Sequence, residues 1–278
     1  MPALLIVAAV SLGAIIGSFL NVCIHRLPRD LSIVTPRSAC PGCGAPIAWY
    51  DNVPVLSYLL LRARCRRCRA AIAARYPLVE AATAALFAAL LVTRGPGIEW
   101  LAGAVFGAAI IALILIDAEH QILPDVITLP GIAAGVLLAP VRAALAPVPQ
   151  VPPLHALREA AFAAALGYAL PWSVNAAYRG WQALRRVPAA RREDGIGQGD
   201  FKLLAMIGAF LGVPLLLFTL FVGAVGGAVW GIYLMMARGY GWKSRLPYGV
   251  FLGAAAILAL FAGDASVGWY LDRMGVVR

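Results

Sequence analysis

Two aspartates border long apolar runs in this chain of 278 residues. Asp117 ends the apolar run 113–116, and Asp200 begins another run directly after a stretch with three glycines at 195–199. Glycines leave the backbone bare, so another extended chain could lie close against this stretch. Acidic side chains at membrane depth are costly and usually serve a function. The pattern predicts acid–base chemistry on a peptide bond at a membrane surface.

Each of these carboxylates also has a simpler interpretation. Asp200 and Asp125 could be first-turn acids, because a carboxylate suits the amino end of a helix. Asp117 follows a helix and opposes its dipole, which favours a functional role. If Asp117 and Asp200 face each other, they share one proton. We then expect Asp200 to act as the base and Asp117 to hold the proton, although such a pair titrates as a unit.

Four of the five cysteines form two Cys-x-x-Cys pairs. Cys40 and Cys43 form the first pair, and Cys65 and Cys68 form the second. Four thiolates can close a tetrahedral structural zinc site. Two disulfides are the alternative, but the topology predicted below puts this loop in a reducing compartment. A dithiol redox centre is a third interpretation, without the βαβ pattern that usually accompanies it. Cys23 has no such partner and is expected to pack as an apolar residue.

The composition identifies a membrane protein: 62% of the residues are hydrophobic, 13% are charged, and the mean hydropathy is +0.84. A helix of about 20 apolar residues spans a bilayer. We predict an all-α polytopic protein with about eight transmembrane helices and a cytoplasmic zinc-binding insertion between the first two. The predicted spans are about 3–24, 77–93, 98–117, 126–145, 155–177, 201–216, 218–237 and 247–264. The apolar run 201–236 is too long for one helix, and Pro214 is the expected place for it to fold back.

The net charge of +10 follows from this topology. Of the 23 basic residues, 17 lie in the loops 24–76, 179–200 and 237–246. Basic residues concentrate in cytoplasmic loops, so the amino terminus is predicted on the periplasmic side. Anionic lipid head groups are then the expected electrostatic partners, and nucleic acid is not expected.

Several segments, taken together, resemble the bacterial type IV prepilin peptidases, which are bifunctional leader peptidases and N-methyltransferases. Asp117 and Asp200 lie in the two segments that match the family's aspartate motifs. The matching segments are 17–22 (GSFLNV), 25–28 (HRLP), 40–43 (CPGC), 47–57 (IAWYDNVPVLS), 75–80 (RYPLVE), 117–125 and 197–200 (GQGD).

The resemblance implies an intramembrane aspartic peptidase of the bacterial inner membrane. It implies cleavage of type IV prepilins or type II secretion pseudopilins after a glycine, and methylation of the new amino terminus with S-adenosylmethionine. It also implies that residues 1–76 form a first helix with a zinc-binding, methyltransferase-associated region, and that 77–278 form the peptidase domain. The implied site residues are the catalytic Asp117 and Asp200 and the zinc ligands Cys40, Cys43, Cys65 and Cys68. From their positions beside the two aspartates, Asp125, Gly197, Gly199 and Lys202 are expected to support the site.

The chain departs from the family pattern at Ala63, where glycine is usual, in the region associated with methyltransferase activity. A peptidase without methylation is therefore one alternative. An ion-coupled transporter and a zinc-ribbon membrane scaffold are alternatives of a different class, in which the aspartates relay cations or cap helices.

Overall fold

The computed structural model describes residues 3–146, 151–188, 194–238 and 246–275. Within these ranges the regular elements are helices, which confirms the predicted all-α class. The α-helices are α1 (Ala3–Arg26), α2 (Leu56–Leu60), α3 (Arg75–Arg94), α4 (Ile98–His120), α5 (Asp125–Leu145), α6 (Pro153–Leu184), α7 (Gln198–Arg238), α8 (Tyr248–Leu258) and α9 (Asp264–Arg273).

Six helical segments among the described residues are long and apolar enough to cross a membrane, so the chain is a multi-pass membrane protein. They are Ala3–Arg29, Arg75–Arg94, Ile98–His120, Asp125–Leu145, Gln198–Ala237 and Tyr248–Arg273. The predicted span 155–177 lies inside α6, which is not one of the six. The count of eight transmembrane helices therefore stays a prediction.

The predicted loop 179–200 needs a correction at its start, and parts of the predicted loops lie outside the described residues. Helix α6 continues to Leu184, so the start of the predicted loop 179–200 is helical. The segment 189–193 of that loop lies outside the described residues, and so do residues 239–245 of the predicted loop 237–246.

The predicted break in the long apolar run 201–236 occurs, but at a different residue. Gly212, not Pro214, leaves the helical conformation, with φ 78° and ψ 175°. Glycine adopts this backbone conformation without steric cost. Pro214 then lies in the first turn after the break, where its missing N–H removes no hydrogen bond. The guanidinium of Arg142 donates to the carbonyl of Phe210 at 2.9 Å, near the carboxyl end of the first half.

The chain divides into two compact units, Met1–Ile116 and Asp117–Arg278. In the first unit, α1 packs directly on α3. A Cβ atom placed at Gly17 would lie 2.6 Å from the Cα of Glu80, so the two backbones are in contact. Small residues permit such close approach between membrane helices. The predicted domain boundary at residue 76 remains a prediction.

In the second unit, α6 and α7 make the corresponding close contact. Cβ atoms at Gly167 and Gly208 would overlap the backbone of the opposite helix, at Leu204 and Ala163 respectively. The first half of α7 is consequently buried, including Leu203, Leu204 and Ile207. This packing fixes the amino end of α7, where Asp200 lies.

Candidate active site and metal centre

Asp117 and Asp200 approach each other in the second unit. Asp117 lies in the last turn of α4 and is 5% exposed, whereas Asp200 lies in the first turn of α7. The two carboxyl groups interact electrostatically. The structure therefore brings together the two aspartates that the sequence singles out, from positions 83 residues apart in the chain.

A third helix, which the sequence reasoning did not use, contacts Asp117. The backbone N–H of Val250, in the first turn of α8, donates to the Oδ2 atom of Asp117 at 3.0 Å. A Cβ atom at Gly249 would lie 2.9 Å from the same oxygen. The amino end of a helix has a partial positive charge and free N–H groups. The prediction that Asp117 holds the proton was based on the dipole of α4 alone. Because the amino end of α8 also acts on Asp117, which of the two carboxyl groups is the acid and which is the base stays a prediction.

Leu123 packs between the glycines that adjoin the two acids. A Cβ atom at Gly199 would lie 3.0 Å from the Cβ of Leu123, and one at Gly249 would lie 3.2 Å from its Cδ1. Gly199 precedes Asp200 in the chain, and Gly249 contacts Asp117. Glycine at both positions leaves room for one leucine side chain to pack next to both aspartate-bearing segments.

Gly197 leaves an open approach to Asp200. Of the described atoms, only the Oδ2 of Asp200 would lie within 4 Å of a Cβ atom at Gly197, at 3.3 Å. The carbonyl of Gly197 accepts a hydrogen bond from the N–H of Asp200 at 3.1 Å, which starts α7. The bare backbone predicted from the sequence is therefore next to a carboxylate.

Lys202 forms an ion pair with Asp125. Its Nζ atom lies 2.6 Å from Oδ1 and 2.8 Å from Oδ2 of Asp125. The pair connects the amino ends of α5 and α7. The Asp125 side chain is 57% exposed, so water screens the attraction and its effect on stability is small.

Sequence reasoning missed Asn175, a residue of α6 that is 3% exposed. Its side-chain amide hydrogen-bonds to the backbone of Gly195 and Ile196, just before the aspartate of α7. A polar amide inside the predicted span 155–177 was a signal, since buried polar groups need partners.

The four predicted cysteine ligands form one cluster in the first unit. Their sulfur atoms lie within 4.8 Å of one another, and the Sγ atoms of Cys40 and Cys68 are 3.7 Å apart. Zinc–sulfur bonds of about 2.3 Å in a tetrahedron put the sulfurs roughly 3.8 Å apart. The cluster therefore fits a tetrahedral metal ion. Cys23, by contrast, is buried within α1, as expected for a packed apolar residue.

The two Cys-x-x-Cys pairs have the same backbone turn. The N–H of Cys40 donates to Ala45 and that of Cys65 donates to Ala70, at 2.9 and 2.8 Å. The backbone N–H groups of Cys68 and Arg67 lower the pKa of the Cys65 thiol to about 6. Metal ions bind the thiolate form, so this turn favours the form of Cys65 that can bind a metal ion.

The described residues thus define an all-helical membrane protein with two aspartates paired at helix ends and a four-thiol cluster. The chain belongs to the prepilin leader peptidase/N-methyltransferase family. Residues 11–94 match the bacterial peptidase A24 N-terminal domain, and residues 104–232 match the type IV leader peptidase family. The resemblance found in the sequence is confirmed.

Individual relatives match along most of their length. The prepilin leader peptidase/N-methyltransferase of Aeromonas salmonicida is 36% identical, over 93% of this chain and 91% of the relative. Its counterpart in Pseudomonas aeruginosa is 35% identical, over 99% and 96%. The Burkholderia pseudomallei relative is 37% identical, over 92% and 84%. No solved structure matches the chain significantly.

Proposed function

We propose that this protein removes the leader peptide from prepilins or pseudopilins, with Asp117 and Asp200 as the catalytic pair. The observation that supports this role is the approach of the two carboxyl groups at the ends of α4 and α7. The family membership favours a peptidase over the transporter and scaffold alternatives.

In the proposed reaction, one carboxylate takes a proton from a water molecule, and that water attacks the scissile carbonyl carbon. The protonated partner donates a hydrogen bond to the carbonyl oxygen. The tetrahedral intermediate then collapses, the C–N bond breaks, and the pair delivers a proton to the leaving amine. The products are the leader, with a new carboxylate, and the mature pilin, with a free amino terminus.

The substrate would lie along the glycine loop, defined as residues 194–197. The open face at Gly197 next to Asp200 supports this placement, because an extended peptide needs a side-chain-free backbone beside it. A leader that ends in glycine would also minimise crowding at the cleaved bond.

We propose zinc as the ion held by Cys40, Cys43, Cys65 and Cys68. Four protein ligands leave no open coordination position, so its role would be structural. Only short helical segments, Leu27–Arg29, Trp49–Asp51 and α2, occur between α1 and α3. A segment with so little regular structure depends on a metal ion for its stability.

Methylation of the new amino terminus would be the second activity, with S-adenosylmethionine as the donor. The relatives' names include N-methyltransferase. Ala63, the departure from the family pattern, has φ 58°, a conformation that glycine adopts freely. The local backbone therefore follows the path that glycine would take, which supports retained methylation.

We propose that the aspartate pair and the zinc-binding segment face the cytoplasm and that the amino terminus is periplasmic. The concentration of basic residues in three loops supports this orientation in the inner membrane, next to anionic lipids.

The test is mass spectrometry of a prepilin co-expressed with the parent protein, Asp117→Asn or Asp200→Asn. We expect leader loss with the parent and an intact leader with both variants, because asparagine cannot exchange the proton. Asp264→Asn is the matched control, since Asp264 is an exposed aspartate in the first turn of α9. Cleavage by either active-site variant at the control's level would refute the pair, and one extra methyl group on the product would identify the second activity.

A further inference from the structure

The amide of Asn175 holds the backbone of the glycine loop at three points. Its Oδ1 atom accepts hydrogen bonds from the N–H groups of Gly195, at 3.0 Å, and Ile196, at 2.9 Å. Its Nδ2 atom donates to the carbonyl of Ile196 at 2.8 Å. One side chain thereby satisfies three backbone groups that lie 20 and 21 residues away in sequence.

Because Asn175 is buried, its hydrogen bonds favour one backbone conformation of residues 195–196. Asn175 is 3% exposed, and an amide in an apolar environment is costly unless its hydrogen bonds are made. A displacement of the loop would leave the buried amide and the loop's N–H groups without partners. Such buried and satisfied polar groups favour one backbone arrangement over its neighbours.

The held segment leads directly to Asp200. Ile196 is followed by Gly197, whose carbonyl accepts from the N–H of Asp200 at 3.1 Å. The connection from Asn175 to the Asp200 carboxylate thus consists of the backbone it hydrogen-bonds, at residues 195–196, and the first turn of α7. A shift at residues 195–196 would therefore also move Asp200 and the open face at Gly197.

One turn further along α6, Arg179 binds the start of the same loop. Its Nε and Nη2 atoms contact the two carboxylate oxygens of Asp194 at 2.5 and 2.6 Å. Residues four apart lie on one face of a helix. Hydrogen bonding to Arg179 lowers the pKa of Asp194, so this ion pair stays charged at neutral pH. Because Arg179 is 54% exposed, it supplements the buried contact of Asn175.

We propose that Asn175 is a positioning residue, which fixes the glycine loop and thereby the orientation of Asp200 toward the scissile peptide. The proposal rests on the proposed role of Asp200. Asn175 acts on the reaction only through the loop, so its removal changes the catalytic rate more than substrate affinity.

The experiment compares purified full-length parent, Asn175→Ala and Asn175→Asp in cleavage of a prepilin in detergent micelles. Misplacement of a catalytic group by about 1 Å lowers rates on the order of 100-fold. We expect kcat of Asn175→Ala to fall about 10- to 100-fold, with KM within about threefold of the parent. Asn175→Asp retains the oxygen that accepts from both N–H groups, so its kcat should lie between those of Asn175→Ala and the parent.

The matched control is Ser173→Ala on the same helix. Ser173 is exposed, and its hydroxyl donates to the carbonyl of Leu170 within α6. Its kcat and KM should equal those of the parent.

Hydrogen exchange measured by mass spectrometry on the peptide containing residues 195–196 gives a second readout that needs no activity. We expect the amides of Gly195 and Ile196 to be protected in the parent and to exchange faster in Asn175→Ala, while peptides from α7 keep their protection. Unchanged exchange, unchanged kcat, or a global loss of protection in both Asn175 variants would overturn the proposal. Failure of the proposed function has a different signature: Asp200→Asn would still cleave, although Asn175→Ala shows the faster exchange.

Discussion

The Oδ2 atom of Asp117, at the carboxyl end of α4, accepts a hydrogen bond from the backbone N–H of Val250, which lies 133 residues further along the chain. The amino end of α8 thereby fixes the orientation of one of the two paired carboxyl groups. Helix N–H groups are rigid donors and need no reorganisation during a reaction. Pairing of the two aspartates consequently depends on three helices.

The contact with α8 predicts that Gly249→Ala will strongly reduce cleavage. The added methyl group would lie 2.9 Å from the Asp117 Oδ2 atom, closer than such contacts normally occur, and must displace the carboxylate. Displacement of a catalytic group by about 1 Å lowers kcat on the order of 100-fold. Steady-state cleavage of a prepilin measures this change. Gly268→Ala is the control, since its methyl group meets no described atom within 4 Å; equal kcat values for the two variants would contradict the role of α8.

Gly197→Ala tests the open face of the glycine loop. Its methyl group would lie 3.3 Å from the Asp200 Oδ2 atom, where we expect the substrate backbone. KM should rise about tenfold or more, which corresponds to about 1.4 kcal/mol of lost binding. Gly180→Ala, which adds a methyl group in open space on α6, should match the parent. An unchanged KM for Gly197→Ala would place the substrate elsewhere.

The cysteine cluster predicts about one zinc ion per chain. Elemental analysis of the purified protein measures it, and Cys65→Ser should lose most of the metal because its thiolate is one of four ligands. Limited trypsin digestion should then cut faster after Arg62 and Arg69, which lie in the segment between α1 and α3. Cys23→Ser is the matched control and should retain the metal. A folded, trypsin-resistant parent without metal would contradict a structural ion.

Ala63→Gly should stabilise the zinc-binding segment. A non-glycine residue in the left-handed conformation costs roughly 1–2 kcal/mol, and the greater chain entropy of unfolded glycine offsets part of this gain. We expect a net increase of about 0.5–1 kcal/mol in the free energy of unfolding of the first unit. Thermal unfolding checks this, with Ala74→Gly as control because Ala74 has a right-handed helical φ of −60°. A lower stability of Ala63→Gly than of the parent would show that the conformation is not strained.

The sequence predicted which residues make up much of the candidate site, because the relevant signals were local. Asp117 and Asp200 stood out because acids at the ends of apolar runs are rare, and the four cysteines stood out by their spacing. The all-α class followed from apolar runs that are long enough to span a bilayer. The loop preceding Asp200 was predicted from three glycines within the five residues 195–199.

Contacts between distant segments were outside the reach of that reasoning. Nothing near Asn175 in sequence indicates that its amide binds residues 195–196, and nothing near Gly249 indicates that α8 faces Asp117. The helix break is at Gly212 rather than at the predicted Pro214, because proline fits the first turn of a helix, whereas φ 78° combined with ψ 175° is a conformation that essentially only glycine adopts. Composition and spacing therefore determined which groups are available and that they belong in a membrane. Only the packing inside the second unit, of α6, α7 and α8 around the segment that begins at Asp117, decided their partners, because side-chain hydrogen bonds depend on ångström-scale placement of backbones that are far apart in the chain.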